Sequence, residues 1–199
     1  MIVQWDPKVR EQHRLSRWLS IGLLCLGLAS LGCSASQAIS KQSGTASSST
    51  KQSNKASSSL ARVTLKQLNG RRLYLGDVLG KKVVFVTFWA TWCEPCKHEL
   101  KQLGRLQRAH RSQGLRILAV NTDPPASMGI VRNFVRQNRL GLTVLMDQDS
   151  QFLRQLNPKG NLPYYVIFGR DGAMVDAHQG YQPGDEVGIA KKLKKLMAR

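Results

Sequence analysis

"VVFVTFWATWCEPCKHEL", residues 83–100, joins an apolar strand pattern, a cysteine pair and a helix start. β-Branched and aromatic residues fill its first seven positions, which is typical of a central strand buried on both faces. Cys93 and Cys96 follow at Cys-x-x-Cys spacing, with Pro95 between them. Proline is tolerated in a first helical turn, because its missing N–H has no partner there. The stretch therefore predicts a buried strand, a short loop and a helix that begins at the cysteine pair.

The spacing of the two cysteines favours redox chemistry. Cysteines one helical turn apart can form a disulfide with little backbone movement. The free N–H groups and the dipole at a helix start favour a thiolate at Cys93. Lys97 adds a positive charge nearby, whereas Glu94 opposes it. Because the thiolate is the attacking species in thiol–disulfide exchange, the pattern predicts a pair that cycles between dithiol and disulfide.

Three other uses of the pair are less favoured. A c-type haem anchor needs a histidine directly after the second cysteine, but position 97 is lysine and His98 comes one place late. Structural zinc needs about four ligands, and His98, His110 and His178 could complete only an untypical site. A purely structural disulfide would close a very small loop and constrain the chain little.

The apolar periodicity outlines one α/β domain over residues 60–199. Asn69-Gly70 and Asp171-Gly172 each separate two strand patterns and predict hairpins. Between them, strand and helix patterns alternate, and a closing helix follows at the end of the chain. The predicted order, ββ–βαβαβα–ββα, indicates a sandwich in which helices flank a mixed central β-sheet.

The segment before this domain predicts export. Basic residues precede a short apolar run at 19–31, which has the length of a signal sequence rather than of a membrane-spanning helix. Gly32-Cys33 after it resembles the lipobox of bacterial lipoproteins. We therefore predict a signal peptide over 1–32, a lipidated Cys33 and a Ser-rich flexible tether over 33–59. A plain signal peptide or a short uncleaved anchor is the alternative.

The chain is strongly basic, with 30 Lys and Arg against 12 Asp and Glu and a formal charge of +18. Such a charge favours anionic surfaces, including lipid headgroups and acidic proteins. No recognition helix, zinc-finger spacing or aromatic–basic RNA motif accompanies it, so we expect no nucleic-acid partner.

The quoted stretch, together with "GNLPYYVIF" at 160–168, resembles the membrane-tethered TlpA/ResA type of thioredoxin-like protein. This resemblance covers about residues 60–199. It implies a thioredoxin-like fold with an N-terminal β-hairpin and a central insertion, here 122–140. It also implies that Cys93 is the exposed nucleophile and Cys96 the resolving thiol.

The same resemblance assigns supporting residues. Pro163 is expected to follow a cis peptide bond that leaves the Leu162 backbone free to pair with an extended partner chain. Trp92 is expected to cover the sulfurs and to offer an apolar contact. The chain has Thr87 where thioredoxins carry a buried acid, and Pro124 where ResA-like proteins place a glutamate in the insertion.

These two departures leave the proton acceptor for Cys96 open. Glu94 and Asp123 are the candidates, with solvent water as the alternative, and Glu94 could instead only stabilise the helix start.

The resemblance implies an exported, membrane-anchored reductase of protein disulfides, such as apocytochrome c, facing the periplasm or extracytoplasmic side. A membrane electron donor of the DsbD/CcdA type would restore the dithiol. We expect a monomer without a cofactor or metal. An oxidase or isomerase, or a non-catalytic tethered module that binds an acidic partner or lipid, are the alternatives.

Overall fold

The protein is described by a computed structural model over residues 59–198. The predicted signal peptide, Cys33 and almost all of the predicted tether lie outside these residues. The described part contains one seven-stranded sheet in the order β2-β1-β5-β4-β3-β6-β7. The strands are β1 Thr64–Gln67, β2 Arg72–Tyr74, β3 Val83–Trp89, β4 Leu115–Asn121, β5 Thr143–Met146, β6 Tyr164–Phe168 and β7 Met174–Gln179.

Four complete α-helices accompany the sheet within residues 59–198. They are α1 Glu94–His110, α2 Met128–Gln137, α3 Gln151–Leu156 and α4 Asp185–Met197. The observed order of strands and helices confirms the predicted one, including a helix in the central insertion.

The centre of the sheet is β3, and every one of its residues is buried. It pairs in parallel with β4 and antiparallel with β6, so the predicted mixed sheet is confirmed. Both predicted hairpins are present as the antiparallel pairs β1–β2 and β6–β7. Their turns place Gly70 at φ 87° and Gly172 at φ 78°, a conformation that glycine adopts without steric cost.

Apolar side chains fill both faces of the sheet. On one face Val84, Val86 and Phe88 of β3 pack with residues of the β1–β2 hairpin and of α3. On the other face Val83 and Phe85 pack with residues of α1 and α4. The alternation follows from the two-residue period of a strand. The sandwich thereby fixes the end of β3, from which the cysteine loop emerges.

The buried face of α1 is not purely apolar. Leu100 and Leu103 are buried, whereas Ala109 is exposed. Gln107 is buried instead, because its amide bonds to the backbone of β4. Its Nε2 donates to the Leu115 carbonyl at 2.9 Å, and its Oε1 accepts from a backbone N–H two residues further along that strand.

No helix within residues 59–198 has the length and apolar character needed to cross a membrane.

Candidate active site

The cysteine pair lies at the start of α1, at the end of the loop that follows β3. Cys93 is the N-cap residue, and its Sγ accepts a hydrogen bond from the backbone N–H of Cys96 at 3.3 Å. The two residues form a disulfide with their Cα atoms 5.3 Å apart. Pro95 occupies the first helical turn, where it interrupts no hydrogen bond. The local sequence thus places both sulfurs at the positive end of the helix dipole.

The two sulfurs differ little in exposure in this oxidised state. The side chain of Cys96 is fully buried, and that of Cys93 is only 5% exposed. Cys93, expected to be the exposed nucleophile, is thus buried in the disulfide-bonded state. Cys93 packs in an apolar cluster with Trp89, Leu100 and other residues, which covers most of its surface. Cys93 is nevertheless the more accessible of the two residues.

Trp92 lies directly before the cysteine pair and is 70% exposed. It stands within a turn in which the Cys93 N–H donates to the Ala90 carbonyl at 3.1 Å. Most of the indole surface is therefore open to solvent, one residue before Cys93.

Glu94 and Lys97 pair with each other across the first turn of α1. The Glu94 side chain is 74% exposed. Because the two opposite charges lie side by side, the negative charge of Glu94 offsets the effect of the Lys97 charge on the sulfurs. Glu94 faces water and Lys97, rather than the buried side of the helix on which Cys96 lies.

Asp123 is almost completely buried, at 1% exposure, in the loop after β4. Its Oδ2 accepts from the Thr91 N–H and from Asn121 Nδ2, each at 2.7 Å. Its Oδ1 accepts from the Thr91 hydroxyl at 3.0 Å. Both oxygens of this carboxylate are thus engaged by donors from the loop after β3 and from the end of β4.

A residue that the sequence reasoning missed is Glu99. It lies in α1 three residues after Cys96, on the same face of the helix, and is fully buried. The Thr87 hydroxyl donates to its Oε2 at 2.9 Å. Its Oε1 has no hydrogen-bond partner among the residues that the structure describes. The sequence could have indicated it, because Glu99 falls at helical spacing on the same face as Cys96, Leu100 and Leu103.

Burial raises the pKa of Glu99 from its ordinary value of 4.5 to about 8. The hydrogen bond from Thr87 works against this shift, and the negative charge of Asp185 adds to it. A carboxyl group with such a pKa exchanges its proton near neutral pH, as a free thiol with a pKa of about 8.5 does. Proton transfer between Glu99 and a thiol would therefore be nearly balanced in energy.

The loop before β6 contributes Leu162 and Pro163. The peptide bond between them is cis, as predicted. Leu162 packs against the apolar cluster that contains both cysteines. The Pro163 carbonyl accepts from Gln179 Nε2 at 2.6 Å and from the Gly180 N–H at 2.8 Å. These bonds fasten the loop to the end of β7.

Within residues 59–198, no three His, Cys, Asp or Glu side chains lie together in a group that could hold a metal ion.

Comparison with known proteins places this site in a family. A model of the AhpC/TSA family matches residues 57–177. The thiol-disulfide oxidoreductase ResA of Bacillus subtilis is 35% identical over 116 residues, which are 58% of this chain and 63% of that protein. ResA of Bacillus anthracis is 32% identical over 127 residues, which are 63% of this chain and 71% of that protein. The match thus spans less than two thirds of the Bacillus subtilis relative.

Solved structures agree with the sequence relatives. A putative thiol:disulfide interchange protein DsbE from Chlorobium tepidum superposes with a TM-score of 0.61 at 27% identity, over 68% of this chain and 92% of that one. The predicted thioredoxin-like fold is thereby confirmed. The chain belongs to the AhpC/TSA family of thioredoxin-like proteins and, within it, resembles the thiol-disulfide oxidoreductases of the ResA type.

Proposed function

We propose that the chain reduces disulfides of exported proteins through the Cys93–Cys96 pair. The observation that carries the proposal is the position of this pair at the N-terminus of α1, one turn from the buried Glu99. Helix-start amides and the dipole stabilise a thiolate at Cys93 once the disulfide is reduced.

The reaction starts from the reduced protein. The Cys93 thiolate attacks one sulfur of the partner's disulfide, so that the partner's S–S bond breaks and a mixed disulfide forms. The partner's other sulfur leaves as a thiolate and takes a proton. Cys96, as a thiolate, then attacks the Cys93 sulfur and releases the second partner sulfur. The partner has gained two electrons, and the Cys93–Cys96 disulfide remains.

Glu99 is the group we assign to the proton of Cys96. It lies one turn from that residue in the same buried region, where solvent does not reach either side chain. With a pKa raised to about 8, it can take up the thiol proton as Cys96 attacks and return a proton when the disulfide is reduced. Exposed Glu94 and fully bonded Asp123 are less suited to this exchange.

Trp92 and the loop of Leu162 and Pro163 are assigned to partner binding. Trp92 supplies exposed apolar surface next to Cys93. Leu162 packs on the cysteine cluster, so an extended partner segment that pairs with its backbone would pass close to the sulfurs.

The cellular setting follows from the N-terminal sequence pattern. A signal peptide, a lipidated Cys33 and a Ser-rich tether would hold the domain at the membrane on its extracytoplasmic side, where disulfides persist. A membrane thiol donor of the DsbD/CcdA type would supply the two electrons for each cycle, and oxidised apocytochrome c is the substrate class we propose.

Insulin reduction by the full chain, with dithiothreitol as donor, tests the activity. We expect Cys93→Ser and Cys96→Ser to abolish catalysed reduction, and the control Cys25→Ser to leave it unchanged. Reduction that survives Cys93→Ser would refute the assignment. Equilibration with glutathione measures the direction: a potential below about −250 mV supports a reductase, and one near −120 mV an oxidase.

A further inference from the structure

Asp123 connects the two loops that leave the parallel strands β3 and β4. Thr91, in the loop after β3, donates two hydrogen bonds to the Asp123 carboxylate, from its backbone N–H at 2.7 Å and from its hydroxyl at 3.0 Å. Asn121, the last residue of β4, donates a third hydrogen bond to the carboxylate from its Nδ2 at 2.7 Å. Its Oδ1 accepts a hydrogen bond from the Asp123 backbone N–H at 3.2 Å. A single buried carboxylate thus ties the cysteine loop to the neighbouring strand.

Thr91 stands inside the turn that ends at the nucleophile. The turn closes with the Cys93 N–H on the Ala90 carbonyl at 3.1 Å, and Thr91 is its second residue. A further bond joins the Thr122 N–H, in the loop after β4, to the carbonyl of Trp89, the last residue of β3, at 3.0 Å. Asp123 therefore fixes the backbone from which Cys93 projects.

Within the described residues, hydrogen bonds alone hold the Asp123 carboxylate. Its two oxygens accept hydrogen bonds and donate none, which is the pattern of an ionised carboxylate. No salt bridge to it is present among the described residues. A buried negative charge bonded to Thr91, two residues before the nucleophile, disfavours a second negative charge on the Cys93 sulfur.

We propose that Asp123 is a positioning residue for Cys93. Asp123 orients the Cys93 sulfur through Thr91, and its negative charge disfavours ionisation of that sulfur. This inference rests on the proposed function, in which Cys93 is the attacking sulfur. It gives Asp123 a role different from that of proton acceptor for Cys96.

Three substitutions separate the two parts of this role. In Asp123→Asn the amide oxygen can keep the bonds from the Thr91 N–H and Asn121, and its NH₂ can donate to the Thr91 hydroxyl. The charge alone is lost. Asp123→Ala loses the charge and all three bonds. Thr91→Val loses only the hydroxyl bond and keeps the charge.

The rate of Cys93 alkylation by iodoacetamide, measured as a function of pH in the reduced full chain, reports the effect of the Asp123 charge. The readout is the midpoint of this pH dependence. We expect the midpoint to fall by about 0.5 pH unit or more in Asp123→Asn and in Asp123→Ala. Thr91→Val should keep the wild-type midpoint. An Asp123→Asn midpoint equal to that of wild type, or an equal shift in Thr91→Val, would overturn the electrostatic part.

The rate of insulin reduction reports how well the Cys93 sulfur is positioned for attack. We expect Asp123→Ala to lower kcat about tenfold or more, with Asp123→Asn recovering most of that loss. Equal losses in both variants would overturn the positioning part. Should Asp123→Ala fail to fold, as judged by circular dichroism, the comparison of Thr91→Val with wild type takes its place: a kcat loss supports positioning, and unchanged kcat contradicts it.

The matched control is Asp147→Asn. Asp147 is also a buried carboxylate, but it bonds to the backbone N–H groups of Phe152 and Leu153 at the start of α3. Its substitution should leave the Cys93 midpoint unchanged. Alkylation needs no partner protein, so a wild type that fails to reduce insulin refutes the proposed function while the midpoints still decide the role of Asp123.

Discussion

The Thr87 hydroxyl donates a 2.9 Å hydrogen bond to Glu99 Oε2, and both side chains are fully buried. The bond joins the central strand β3 to α1, one helical turn beyond Cys96. It places a carboxyl group on the buried side of the cysteine pair, although position 87 itself carries no acid.

The raised pKa of Glu99 should make stability depend on pH. Between pH 4.5 and about 8 the folded chain holds a proton that the unfolded chain has released, so stability is highest at the acidic end and is lost as the pH rises. Relative to Glu99→Gln, the free energy of unfolding of wild type should fall by about 4 kcal/mol from pH 5 to 9. Urea unfolding of the oxidised full chain measures this, since neither thiol then titrates.

Glu94→Gln is the matched control, because Glu94 is an exposed carboxylate five residues earlier in the chain. Parallel pH profiles for wild type and Glu99→Gln would show that Glu99 ionises as an exposed glutamate does, and would contradict the raised pKa.

Thr87→Val should weaken the folded state mainly at high pH. The substitution keeps the shape but removes the donor to Glu99, which needs that donor most when it is ionised. We expect a loss of about 1–3 kcal/mol at pH 9 and a smaller one at pH 5, by urea unfolding. In the Glu99→Gln background the pH dependence of this loss should disappear, and its persistence there would contradict the assigned pairing.

Trp92→Ala should impair reaction with proteins more than with small disulfides. In the proposed reaction the exposed indole contacts a protein partner, whereas exchange with oxidised glutathione does not need that contact. We expect kcat/KM for insulin to drop about tenfold, with stability changed by less than about 0.5 kcal/mol. Val187→Ala, at an equally exposed apolar residue of α4, is the control. Equal losses with both substrates would argue against partner binding by Trp92.

Gly104 fixes how closely α1 approaches the loop before β5. A Cβ at this position would lie 2.4 Å from the Leu140 carbonyl oxygen, whereas one at Gly188 of α4 meets nothing within 4 Å. Gly104→Ala should therefore destabilise the chain by about 1–3 kcal/mol. Gly188→Ala should stabilise it by about 0.5–1 kcal/mol. Thermal unfolding of both variants checks the pair, and a stabilised Gly104→Ala would show that the two elements can separate.

Much of this architecture is readable from local sequence patterns. The run of β-branched and aromatic residues at 83–89 predicted a strand buried on both faces, and the Asn-Gly and Asp-Gly pairs predicted two hairpins. The Cys-Glu-Pro-Cys motif marked the helix start and the disulfide, and the family resemblance supplied the cis bond before Pro163.

The polar contacts of the site were harder to foresee, because they join residues far apart in the chain. Glu99 looks like an ordinary charged helix residue until the packing of α1 on β3 brings it under Thr87. Asp123 reads as a free acid in a loop, but its position beside Thr91 depends on the parallel pairing of β3 with β4. Gln107 was likewise unremarkable until β4 lay against it.

The most direct test of the central claim is a mixed-disulfide trap. The reduced full chain carrying Cys96→Ala is mixed with a peptide that contains one disulfide, and the product is mapped by mass spectrometry. We predict a stable adduct of one peptide per chain, bonded to Cys93, which wild type resolves within the same time. An adduct that also forms when Cys93 is replaced by Ala, or no adduct at Cys93 in the folded chain, would contradict the proposed chemistry.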